Sequence, residues 1–170
     1  MAKTAIKGMA RLQATLNGKI LGVQKNWMAR LLERVLRRGA QMHLNAGFLE
    51  GATYPDGTPV AAVAYWNEMG GVDRHGKKRD ARPFMRNTIA KNQDQWSALL
   101  AKNLENAKGD LDKAIELTAI KIAAQMQGEI RSFAEKGGNK PSTVEKKGFD
   151  SPLIDTGHML NSVGYEVVSD

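Results

Sequence analysis

Two long amphipathic stretches, separated by a single Gly-Asp step, constrain this chain more than any other feature. From Pro83 onward, apolar residues return at helical spacing at Met85, Ile89, Trp96, Leu100 and Leu104. Pro83 suits the first position of such a helix, where its missing N–H would have no partner anyway. The run ends near Lys108 at Gly109, and Asp110 can accept from the free N–H groups of a new helix. Leu111, Ile115, Ala119, Ile122, Met126, Ile130 and Phe133 then continue at near-heptad spacing to about residue 134. So short a break predicts an αα-hairpin or a kinked rod.

Strand signals flank this helical pair. His43 to Leu49 reads as a strand, and near the C-terminus Val163, Tyr165 and Val167 alternate with Gly164, Glu166 and Val168. Between the first strand and the long helices, Tyr54-Pro-Asp-Gly-Thr-Pro59 has the composition of a turn. Val60 to Glu68 fits helix or strand by pattern, and its alanines favour helix. Gly70 to Asp80 reads as a charged, glycine-rich loop, and Gly137-Gly-Asn-Lys-Pro141 with the lysines after it as an exposed, mobile one. The expected fold class is α+β: a small, mainly antiparallel sheet from about residues 42–50 and 161–169, with room for a third strand, packed by long α-helices.

The first 41 residues differ in character. Residues 3–17 can form a short helix on Ile6, Met9, Leu12 and Leu16, and residues 24–41 a second on Met28, Leu31, Leu32 and Val35. Residues 1–40 hold nine Lys and Arg against Glu33 alone, a net +8 in a chain whose total is +7. The expected organisation is one domain over 1–170, with 1–41 a basic helical N-terminal arm and 42–170 an α+β core. Arg30, Arg34, Arg37 and Arg38 share one side of the second helix. That face is open to three readings: a solvated surface, a contact for an acidic patch on another protein, or non-specific contact with nucleic-acid phosphate.

Composition narrows the chemistry. With no cysteine, disulfides and thiolate metal sites are excluded, which suits assembly in a reducing cytoplasm. No apolar run approaches the ~20 residues of a membrane span, and the N-terminus lacks the apolar core of a signal peptide. His43, His75 and His158 have no metal-ligand spacing, and no phosphate-binding loop or nucleophile elbow is present. Carboxylates are scattered rather than paired. No catalytic, cofactor-binding or metal residue is expected.

Asp155-Thr156-Gly157 is the one apparent exception, because an aspartic protease carries the same triplet. Such an enzyme needs a second carboxylate, supplied here only by dimerisation, and a β-rich domain after the turn. Only thirteen residues follow Gly157. A turn feeding a C-terminal strand accounts for the same residues, with Asp155 and Thr156 as turn or cap acceptors and Gly157 supplying backbone freedom.

The wider run, Pro152-Leu-Ile-Asp-Thr-Gly-His-Met-Leu-Asn-Ser-Val-Gly-Tyr-Glu-Val167, resembles the closing motif of the tail-completion (neck, or head–tail joining) proteins of long-tailed bacteriophages and prophages. Other segments match in the same order: Gly47-Phe-Leu-Glu-Gly51, Val60-Ala-Ala-Val-Ala-Tyr-Trp-Asn-Glu68, Ala81-Arg-Pro-Phe-Met-Arg-Asn-Thr88 and Thr143-Val-Glu-Lys-Lys-Gly148. The chain departs from the pattern after Glu68, where Met69-Gly-Gly-Val-Asp-Arg-His-Gly-Lys-Lys-Arg79 replaces the family's Phe-Gly-Thr and short proline-rich link.

The resemblance implies a non-enzymatic virion protein at the phage neck, assembled in the host cytoplasm. It implies a homo-oligomeric ring, hexameric to match tail symmetry, around the DNA channel and against head-connector, tail-terminator or tail-tube proteins. Loops at 51–58, 70–81 and 135–151 would then be available to order against adjacent rings. Pro83, Phe84, Pro152, Leu153, Asp155, Thr156, Gly157, Leu160 and Ser162 match motif positions and are expected to be architectural.

Overall fold

The computed structural model describes residues 42–72, 76 and 78–169, together with Arg37. The expected helices at 3–17 and 24–41, and with them Arg30, Arg34, Arg38 and the rest of the basic arm apart from Arg37, lie outside the described residues. So does His75. Arg37 is helical and exposed.

Strand β1 (Met42–Phe48) pairs with β4 (Val163–Ser169), so the sheet joins distant parts of the chain. A hydrogen bond of 2.8 Å from Asn45 Nδ2 to Glu166 Oε1 adds a side-chain link between them. After β1 the chain reverses at Tyr54–Gly57, where Gly57 N–H donates to the Tyr54 carbonyl at 2.9 Å. Asp56 Oδ1 accepts the Thr58 N–H at 2.9 Å and closes the turn. Helix α1 (Val60–Met69) follows, burying Val60, Ala64 and Glu68, which fall on one stripe at steps of four residues.

Gly70 ends α1 with φ +66°, and its N–H donates to the Trp66 carbonyl. A Cβ there would sit 2.6 Å from the Ala81 nitrogen and 2.8 Å from the Arg79 carbonyl oxygen. Only glycine permits that crossing. The segment expected as a loop, 70–81, instead contains a short antiparallel ribbon of β2 (Gly71–Val72) and β3 (Lys78–Arg79), with Gly71 opposite Arg79 and Val72 opposite Lys78.

Helices α2 (Phe84–Asn106) and α3 (Leu111–Lys136) form a hairpin, settling the choice left open by the sequence. Lys91 reaches Glu129 at 2.6 Å and Asn103 reaches Thr118 at 3.0 Å, so the helices run antiparallel. Lys108 and Gly109 take left-handed conformations at the bend, and Asp110 Oδ1 accepts the Lys113 N–H at 3.1 Å as the cap expected of it. In α3, Ile115, Ala119, Ile122, Met126 and Ile130 are buried as expected. The α2 stripe is not: only Phe84 and Thr88 of α2 are buried, and Met85, Ile89, Trp96, Leu100 and Leu104 are half-buried.

The expected mobile loop at 135–151 is also corrected. Pro141–Lys147 is a short helix, α4, with proline in its first turn and Gly148 left-handed at its end. The last helix, α5 (His158–Asn161), leads into β4.

The chain groups into two compact units. One comprises residues 1–44, 92–118 and 167–170, whose described part includes the turn of the α2–α3 hairpin. The other comprises residues 45–91 and 119–166 and holds a core of Val60, Ala64, Phe84, Ala123, Met126, Ile130, Met159 and Val163.

Candidate functional site

Four of the five motif segments, scattered along the sequence, meet around Phe84. Its ring is fully buried, among Val60 and Ala64 of α1, Ala123, Met126 and Ile130 of α3, and Met159 and Val163 of the closing motif. Phe48, from the first segment, packs against the cluster and meets the Phe84 ring edge to face, with centroids 6.1 Å apart and planes at 87°. Leu153, Ile154 and Leu160 pack on the same cluster.

Pro83 places Phe84 at the start of α2, and the first free N–H groups of that helix need an acceptor. Glu68, at the buried end of α1, supplies it. Its Oε2 accepts the Met85 N–H at 2.9 Å and its Oε1 the Arg86 N–H at 3.1 Å. Arg86 Nε also donates to Oε1 at 2.8 Å, and Arg86 Nη2 donates to the Glu68 carbonyl at 2.8 Å. The carboxylate therefore serves as N-cap, ion-pair partner and tie between two helices. Further along, Glu129, likewise buried, accepts from Asn87 Nδ2 at 3.2 Å and from Lys91 Nζ at 2.6 Å.

The closing motif is a chain of turns. Ser151–Ile154 has Pro152 second and Leu153 third with φ +66°, and the Ile154 N–H donates to the Ser151 carbonyl at 3.3 Å. A proline followed by a left-handed residue is the type II pattern, which usually has glycine third. Lys147 of α4 holds the turn from outside, donating from Nζ to the Ser151 carbonyl at 2.9 Å and to the Ile154 carbonyl. Its ammonium lies 4.7 Å from the Phe149 ring centroid. Thr156 Oγ1 accepts the His158 N–H at 3.3 Å, and Gly157 enters α5 at φ +80°. Ser162 Oγ donates to the His158 carbonyl at 2.8 Å, and the Leu160 carbonyl accepts from Gln127 Nε2 at 3.3 Å.

Thr156 thus makes the acceptor bond at the Asp-Thr-Gly turn. Asp155 is exposed, and its charge acts on Tyr54. Burial pushes the Tyr54 hydroxyl above its ordinary value, and the Asp155 and Asp56 carboxylates push it further in the same direction. The Tyr54 and His158 rings meet at a 44° tilt with centroids 4.7 Å apart, and His158 Nε2 lies 2.9 Å from the Thr53 carbonyl oxygen. The closing motif is in this way joined to the turn before α1.

A second anchor fixes the loop before α4. Asp150 accepts the Gly138 N–H through Oδ2 and the Asn139 N–H through Oδ1, both at 2.9 Å. These bonds hold the Asp150 carboxyl below the usual carboxylate range. Arg82 donates to Asn139 Oδ1 at 2.9 Å, and burial depresses its pKa.

Pro83, Phe84, Pro152, Leu153, Thr156, Gly157, Leu160 and Ser162 therefore have structural partners or conformations that explain them. Sequence reasoning missed Glu68 as a cap, Lys147 as a turn anchor and the Asp150 clasp. The first two lay inside quoted motif segments, and a buried-stripe glutamate eight residues after Val60 was the available signal. Among the described residues, no group of three or more His, Asp or Glu could hold a metal ion, and no helix is long and apolar enough to cross a membrane. Comparisons with family models, curated proteins and solved structures found no match to this chain.

Proposed function

We propose that this chain is a structural, non-enzymatic virion protein of the phage neck, completing the head-proximal end of the tail or joining tail to head. The resemblance of its ordered segments to tail-completion proteins supports the reading. The observation that carries it is their convergence: residues from Phe48, Val60, Phe84 and Met159 share one core, as parts of one motif spread along a chain must. The motif residues pack, cap and turn, which is what an assembly subunit requires of them. In this reading copies form a ring, hexameric to match the tail, around the DNA channel and against connector, terminator or tail-tube rings. Heterologous contacts between identical subunits close such a ring.

The test is genetic and morphological. With the gene silenced in the genome that encodes it, electron micrographs should show filled heads and separate tails, joined again when the gene is supplied in trans. Normal joined particles without the protein would refute the proposal.

A further inference from the structure

The outer side of α1 is unusual for a helix whose opposite stripe is buried. Tyr65 is 61% exposed, Trp66 43% and Met69 51%, and Val72 on the adjoining ribbon is 65% exposed. Aromatic residues and methionine are the types enriched where proteins meet, and large exposed apolar patches mark contact sites. The patch is rigidly mounted. Asn67 accepts the Arg82 N–H on its carbonyl at 2.7 Å, and the Gly70 crossing clamps α1 to the ribbon.

Its rim is basic. Among the described residues beside it, Lys78 and Arg79 are exposed against Asp80, and Lys140 Nζ donates to the Lys78 carbonyl at 2.7 Å. The Arg79 guanidinium lies 5.8 Å from the Trp66 ring centroid. We propose that the Tyr65–Trp66–Met69–Val72 face is a docking surface for an acidic, amphipathic segment of another protein, its apolar side chains covering the patch and its carboxylates meeting the rim.

Charge selects this occupant. The chain's own N-terminal arm, net +8 over residues 1–40, and a second copy, net +7, would both bring positive charge to a positive rim. Nucleic acid fits less well, because Met69 and Val72 offer no stacking face and Arg79 already lies over the Trp66 ring. The inference stands independently of the virion reading, since it rests on this face alone.

The test uses the full chain and a labelled amphipathic peptide with leucine on one side and glutamate on the other. A leucine–lysine peptide, an oligothymidylate and unlabelled protein serve as competing probes. The leucine–glutamate peptide should bind, more weakly as salt rises, and Trp66→Ala should weaken it by about 30-fold, as loss of an aromatic anchor does. Lys78→Glu with Arg79→Glu, both at exposed positions, should reverse the preference toward the leucine–lysine peptide. Equal binding of both peptides, tighter binding of oligothymidylate, or no binding of the leucine–glutamate peptide would overturn the proposal. So would self-association abolished by Met69→Glu, which would make the occupant a second copy.

Discussion

Glu68 and Arg86 form the joint between α1 and α2: Oε1 of Glu68 lies 2.8 Å from Arg86 Nε and 3.1 Å from its backbone nitrogen. The two partners are unequal, the Glu68 side chain being 9% exposed and that of Arg86 58%. Removing the carboxylate leaves two backbone donors short of an acceptor, whereas removing the guanidinium forfeits a partly solvated pair. Glu68→Ala should therefore cost about 3 kcal/mol and Arg86→Ala about 1 kcal/mol in urea-unfolding midpoints converted to free energy. Equal losses would mean that the ion pair, not the cap, makes the joint.

Phe84 is the point at which four of the five motif segments meet. Truncation to alanine should cost about 3–5 kcal/mol, and Phe84→Leu a smaller part of that, because leucine refills much of the cavity. A loss below about 1 kcal/mol for Phe84→Ala would show that the cluster is not a packed core.

Much of this arrangement is legible in the sequence, for reasons that can be named. The α2–α3 pair follows from apolar spacing and the Gly109-Asp110 break, and α1 from its alanines. Strands β1 and β4 fall within a few residues of their expected limits. What escaped depends on contacts made across the chain. Helix α4 has no buried residue to announce it, and Lys147 is tied to carbonyls beyond the helix. The β2–β3 ribbon has no alternating pattern, and Gly70 is required by a crossing that only the folded backbone reveals. The sequence offered Asp155 and Thr156 equally as acceptors, and local geometry selects Thr156.

At that turn the consequences of substitution should diverge. Asp155→Asn, at an exposed position, should change stability by no more than about 0.5 kcal/mol and leave particle assembly intact. Gly157→Ala should cost about 1–2 kcal/mol through its left-handed backbone, since the added Cβ meets only Asn161 Nδ2 at an ordinary 3.6 Å. A proteolytic activity that vanishes only in Asp155→Asn would replace the architectural account of the turn.

Asp150 gives a pH signature. Its folded pKa lies below the unfolded value because the Gly138 and Asn139 N–H groups favour the carboxylate. Its stabilisation is therefore fully present above the ordinary carboxylate pKa and is lost as pH falls through the lowered folded one. Amide exchange at Gly138 and Asn139 should accelerate on acidification through that range in the wild type. In Asp150→Ala exchange should be fast throughout, after correction for its intrinsic pH dependence. Unchanged protection in the variant would show that the clasp does not hold the loop.

The neck assignment is tested most directly by quantitative mass spectrometry of purified, complete particles made from the genome that encodes this chain. The account predicts the protein in every preparation at a fixed ratio to the tail-tube subunit, corresponding to one ring per particle. Its absence from complete, infectious particles would contradict the account outright.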